Sequence, residues 1–233
     1  MKFKRLTCNF SEIFDVKKIG PEQFTRRKYN HMEPFDLDFP LKKRSDLDAL
    51  MHGPGVYQIF FKDKLVYIGK FDTLNAGNVA DERWRKHLET ITLRGNRLGF
   101  KSPKAVDELI DLMDNEKLRK ALTAEKTKLK ERLRDTGVVS SRNRMAFANK
   151  NWSTFSKLSA THLKQLFTVA YYRFTDIRTV LKAKDSANKL ETALIKQLRP
   201  ECNKECSKNN PSEEATVRHA RKTTISQIKK LLS

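Results

Sequence analysis

Two strongly apolar runs, VYQIFF at 56–61 and LVYIG at 65–69, are separated only by Lys62-Asp63-Lys64. Runs this rich in β-branched and aromatic residues, joined by a polar patch of turn length, predict a β-hairpin. Each carries a tyrosine beside a glycine, in Gly55-Val56-Tyr57 and Tyr67-Ile68-Gly69, so the hairpin sets Tyr57 and Tyr67 on neighbouring strands. The period then changes. Val79 or Ala80, Trp84, Leu88 and Ile91 recur at helical spacing over 79–94, with Gly95-Asn96 as the stop. On this helix Arg83 and His87 stand four apart and share a neighbouring face.

The stretch 103–165 reads as helical and basic. Val106, Leu109, Ile110 and Met113 predict one helix, and Leu118, Leu122, Leu129 and Leu133 a second with a narrow, heptad-like stripe. Ser140 to Lys150 holds Arg142, Arg144 and Lys150 and no acid, and reads as a mobile basic loop. LFTVAYYRF at 166–174 returns to β character, which suggests that 103–160 is inserted into a smaller core. Ala187, Leu190, Leu194 and Leu198 predict a helix over 185–198, closed by Pro200. Pro211-Ser212-Glu213-Glu214 reads as the capped, acidic start of a basic C-terminal helix or pair of helices. Residues 1–50, with Pro21, Pro34 and Pro40, read as extended chain with short helical pieces, one of them beginning at Ser45. The expected fold is α/β (α+β), a small mixed sheet flanked by helices. An N-terminal extension (1–50) precedes a core (51–205) interrupted by the helical insertion, and a basic helical tail (206–233) follows.

Composition narrows the partner. A formal charge of +20 and a pI near 9.9 favour a polyanion, nucleic acid first and a membrane surface second. No apolar run is long enough to span a bilayer, and MKFKRLTCNFSEIF lacks a signal-peptide core, so a soluble, cytoplasmic protein is expected. Three cysteines argue against a disulfide framework. Cys202-x3-Cys206 has no second pair to complete a zinc site and reads as free thiols.

Hydrolysing a phosphodiester requires an activated water, a cation for the pentavalent phosphate and stabilisation of the leaving oxygen. Glu191 sits in phase with Ala187, Leu194 and Leu198, on or beside an apolar stripe, where an acid needs a partner such as a metal ion. The paired Gly-Val-Tyr and Tyr-Ile-Gly, the Arg83–His87 helix, Glu191 and Asn203 together resemble the GIY-YIG nuclease family. Pro34-Phe35-Asp36-Leu37 and Leu47-Asp48-Ala49-Leu50 place the resemblance nearest the type II restriction endonucleases, over roughly 45–100 and 165–205.

The resemblance implies a Mg2+- or Mn2+-dependent endonuclease acting on double-stranded DNA. It implies Tyr57 as proton acceptor or water-orienting group, Tyr67 beside it, and Arg83 on the transition-state charge. It further implies His87 on phosphate or assisting Tyr57, Glu191 as metal ligand and Asn203 as a hydrogen-bonding brace. Arg85 competes with Arg83, but the spacing to His87 favours Arg83. DNA contacts are expected from Lys70, Arg85, Lys126, Lys128, Lys130, Arg142 and Arg144, and palindromic targets imply a homodimer. A phage or repair nuclease of low or structure-selective specificity is the second reading, and a catalytically inactive DNA-binding module the third.

Overall fold

Four strands form the central sheet: β1 (Phe3–Asn9), β4 (Gly55–Phe61), β5 (Lys64–Phe71) and β6 (Phe167–Phe174), in the spatial order β1-β6-β4-β5. The computed structural model describes residues 2–19, 33–43, 45–74, 77–134, 138–203 and 215–231. Every pairing in this sheet is antiparallel, so the mixed sheet expected from sequence is corrected to an antiparallel one. The reason is β6, which returns alongside β4 in the opposite direction after the long helical excursion. β1 pairs along its whole length with β6, from Phe3 opposite Phe174 to Asn9 opposite Thr168. Residues 3–9 are therefore part of the sheet rather than an addition to it. Only Leu6 and Cys8 of this strand are buried, as befits an edge whose exposed positions carry Lys4 and Thr7.

The β4–β5 hairpin closes through two residues, Lys62 and Asp63, both in the left-handed region (φ 49° and 63°). That is the backbone of a type I′ turn, whose twist matches the flanking strands. Asp tolerates this conformation better than most residues, whereas Lys gains nothing from it.

In chain order the helices are α1 (Phe10–Ile13), α2 (Ser45–Asp48), α3 (Arg85–Thr92), α4 (Pro103–Asp111), α5 (Glu116–Ala124), α6 (Lys126–Glu131), α7 (Arg142–Lys150), α8 (Trp152–Phe155), α9 (Ala160–Leu166), α10 (Val180–Leu198) and α11 (Val217–Lys230). Two compact units result. One comprises residues 1–15, 41–84 and 160–233, and holds the sheet; the other comprises 16–40 and 85–159.

In the sheet unit, Val56, Phe60, Ile68, Ala170 and Tyr172 form one face, packed against Ala187, Leu190, Leu194 and Leu198 of α10 and Ala220 and Ile228 of α11. α10 starts earlier than the apolar period indicates, because Thr179 caps it by accepting from the Lys182 N–H. It ends at Arg199 in the left-handed conformation, one residue before Pro200. α11 starts at a Thr216 cap, and Pro211–Glu214 and Cys206 lie outside the described residues. The opposite face of the sheet carries Tyr57 and Tyr171. The Trp84 indole meets both edge-on, at 6.1 and 5.7 Å between ring centres. Trp84 ends a π-helical turn, Ala80–Trp84.

The second unit holds a two-stranded ribbon of β2 (Lys17–Lys18) and β3 (Leu37–Asp38) with α3 to α8. A buried ion pair, Asp36 to Arg94 at 2.6 Å, is completed by Arg94 donating to the carbonyls of Pro34 and Phe155. A buried charge is tolerable when its hydrogen bonds are filled in this way.

Two expectations fail in this unit. The predicted Leu118–Leu133 helix is two short helices, interrupted at Glu125, and its stripe buries Leu122 and Leu129 within the chain. Residues 142–150 form α7 instead of a loop. Its three buried residues, Met145, Phe147 and Ala148, are crowded together among polar and basic neighbours and draw no repeating stripe, which is why sequence pattern misses the helix.

Glu89 of α3 is fully buried. Its Oε1 accepts from Arg97, at 2.9 Å from Nε, while Oε2 has no hydrogen-bond partner. Burial pushes its carboxyl up to about 7, outweighing the opposing pull of Arg97. A carboxyl that titrates higher folded than unfolded favours the fold while protonated. Its contribution is therefore complete below the unfolded value of 4.5 and is lost as pH rises toward 7. The melting temperature is expected to fall between pH 5 and 7.5 by an amount corresponding to at most about 3 kcal/mol. Glu89→Gln should flatten that slope, and an equal slope in wild type and variant would assign the pH dependence to another group.

Candidate active site

Backbone register puts Tyr57 of β4 opposite Gly69 of β5, and the Tyr57 and Tyr67 rings lie 6.3 Å apart on the same sheet face. The two motif glycines have a steric reason. A Cβ on Gly69 would lie 2.8 Å from Tyr57 Cε2 and closer still to Cζ and Oη. A Cβ on Gly55 would lie 2.8 Å from Tyr171 Cε2 and closer to the Tyr172 carbonyl. Aromatic rings thus lie across the neighbouring strand where it has no side chain. Tyr57 is buried and Tyr67 half-buried.

On the other face of β5, Lys70 reaches α10. Its Nζ donates to Asn188 Oδ1 and stands 3.9 Å from Glu191 Oε2. Lys70 and Glu191 are 30% and 20% exposed, so solvent screens the pair and the lysine stays within reach of a ligand. Asn188 precedes Glu191 by less than one helical turn. Sequence reading missed it, although an amide at i−3 of a candidate ligand is the signal that would have found it.

Asn203 follows the end of α10. Its Oδ1 accepts from the Ile68 N–H at 2.9 Å and its Nδ2 donates to the Ile68 carbonyl at 2.8 Å. The carboxamide pairs both outward backbone groups of one β5 residue, as a further strand would, and the Cys202 N–H adds a bond to the Val66 carbonyl at 2.9 Å. Four consecutive residues of β5 therefore collect groups from distant parts of the chain. Tyr67 stands beside Tyr57, Ile68 is clamped by Asn203, Gly69 lies under the Tyr57 hydroxyl, and Lys70 neighbours Glu191.

No family model, curated protein or solved structure matches the chain.

The remaining candidates divide. Arg83 is exposed on the π-helical turn, adjacent in sequence to the buried Trp84, in the sheet unit. Arg85 and the buried His87 belong to the second unit. There, Lys126 pairs with Asp107 at 2.6 Å and Lys128 with Glu125 at 2.7 Å. The Lys126 hydrogen bond holds the Asp107 carboxyl below its usual range. Arg144 is half-buried and donates to Thr90 Oγ1 at 3.1 Å, while Lys130 and Arg142 are exposed.

Among the described residues no group of three or more His, Cys, Asp or Glu side chains could hold a metal ion. A single carboxylate suits one metal type: Mg2+ keeps several waters and is commonly held by one or two carboxylates together with substrate phosphate. Glu191, one-fifth exposed at the surface of α10, fits that role and no closed cage. Among the described residues no helix is long and apolar enough to cross a membrane.

Replacing Asn203 with Ala should leave the Ile68 N–H and C=O without these partners at a buried edge. The expected cost is about 1–3 kcal/mol, read as a lower denaturation midpoint. Unchanged stability would show that water replaces the amide at no cost.

Proposed function

We propose that this protein is a metal-dependent endonuclease of double-stranded DNA with a GIY-YIG type of active site, acting as a type II restriction enzyme. The observation that carries the reading is the convergence on β5 residues 67–70. Tyr57, Asn203 and Glu191, taken from three separate stretches of sequence, all meet that one edge strand: Tyr57 from the face under Trp84, Glu191 from the α10 face and Asn203 at the edge between them. The net charge of +20 supports a polyanionic substrate.

In this reading Tyr57 orients or deprotonates the attacking water, and Tyr67 holds the water or phosphate beside it. Arg83, exposed and cationic, offsets charge on the pentavalent phosphate. Glu191 would hold Mg2+ (or Mn2+), and an ion bound there would supply charge neutralisation at the phosphate and leaving 3′ oxygen. Lys70 holds positive charge beside Glu191 and limits the repulsion between that carboxylate and DNA. Cutting both strands of a palindromic site is met most simply by a two-fold homodimer on DNA.

Incubation with supercoiled plasmid and Mg2+ tests the proposal. Discrete fragments with defined ends support a restriction enzyme. A smear or accumulating nicked circles would point to a phage or repair nuclease. Retarded but uncut DNA would leave only a binding module.

A further inference from the structure

Val180 and Leu181, in the first turn of α10, are 62% and 82% exposed, the largest exposures of any big apolar side chains among the described residues. Three cations surround them: Arg178, Lys182 and Lys184 are all exposed, and among the described residues none has an acidic partner. The nearest acid on the helix, Asp185, is taken by Lys189 at 2.8 Å. The position along α10 adds a direction. At 3.6 residues per turn, steps of four and three carry Val180 to Lys184, Asn188 and Glu191 along nearly one line of the helix, about 16 Å from end to end. Asn188 and Glu191 are the two α10 residues that meet Lys70.

From this alignment we infer that the N-terminal turns of α10 form a second DNA contact, which takes the duplex flanking the cleaved phosphodiester. The inference rests on the nuclease reading of Glu191. The cations fit backbone phosphates, while Val180 and Leu181 fit the apolar faces of sugars and base edges at a groove. A partner combining dense negative charge with exposed apolar surface matches both halves of the patch, and nucleic acid has that chemistry. The spacing sets the reach: about 16 Å is roughly five base steps at about 3.4 Å each. α10 thus acts as a ruler, with Glu191 at the cut and Val180 about half a helical turn of DNA away.

Duplexes carrying the plasmid cut site, with either three or ten base pairs on the α10 side of the scissile bond, test this with full-length protein. Wild type should bind the long-flank duplex about tenfold more tightly than the short one. Val180→Ser/Leu181→Ser should lose most of that advantage with an unchanged salt slope, because no counterion-releasing contact is removed. Lys184→Gln should reduce the slope of log affinity against log salt by about one. All the altered side chains are exposed, so melting curves should match wild type. The inference is overturned if the serine variant keeps the full flank advantage. It is equally overturned if the variant changes only self-association in sedimentation, which would make the apolar pair a contact between copies. A wild-type protein that binds or cuts no DNA overturns the nuclease reading itself, and this inference with it.

Discussion

Glu191→Gln should lose DNA cleavage by a factor of about 10²–10⁴ while still binding DNA. The substitution keeps the shape and length of the side chain, so α10 and its packing through Leu190 and Leu194 are undisturbed. What disappears is the negative charge that would hold a divalent cation, and with it the neutralisation of the leaving oxygen. Lys70, at 3.9 Å, then faces an amide, so the local charge becomes more positive. Binding should therefore stay equal or tighten, and should show a steeper salt dependence. Single-turnover cleavage with Mg2+, run beside fluorescence anisotropy on the same duplex, separates the two effects. Wild-type cutting by the variant removes Glu191 from the chemistry, and loss of both cutting and binding would mean that the substitution had damaged the fold.

The second large effect is expected at Gly69. An added Cβ would press on the buried Tyr57 ring, which packs against Trp84 and Tyr67. Gly69→Ala should cost about 2–3 kcal/mol of stability, in line with other over-packed cores. Cleavage should fall as well, because the hydroxyl of Tyr57 is the group displaced. A double variant divides the two losses. Combining Gly69→Ala with Tyr57→Leu removes the ring that clashes, so stability should recover by more than the single effects predict, a coupling of at least about 1 kcal/mol. Activity should stay lost, since the hydroxyl is gone. Additive destabilisation would show that the glycine serves backbone freedom rather than the close approach of the ring.

The hairpin is legible in the sequence because its two runs are apolar on both faces and its turn is short and polar. Both strands are indeed buried along most of their length. β1 is not legible as a strand of the same sheet. FKRLTCN alternates only partly, and an edge strand needs no stronger signal once β6 supplies its hydrogen bonds. The second unit is harder to read for a different reason. Two of its short helices, α5 and α6, bury one residue each, Leu122 and Leu129, too few to mark where one helix ends and the next begins.

The candidate site divides along similar lines. Tyr57 and Tyr67 can be paired from the hairpin alone. The contacts of Lys70 with Asn188 and of Asn203 with Ile68 join residues 118 and 135 positions apart, and no local pattern encodes them. Lys126 and Lys128 carry a feature that no count of charge along the sequence shows: in the fold each has an acidic neighbour, Asp107 and Glu125.

Cys202 and Asn203 cover an edge that is otherwise suited to aggregation. β5 is long and apolar, and an uncovered strand of this kind invites pairing with any other extended chain. Because 135 residues separate Ile68 from its clamp, a ribosome adding about 5–20 residues per second leaves that edge bare for roughly 7 to 27 seconds after the hairpin emerges. Nascent chains of this protein should therefore depend on holding chaperones during that interval far more than the finished molecule does.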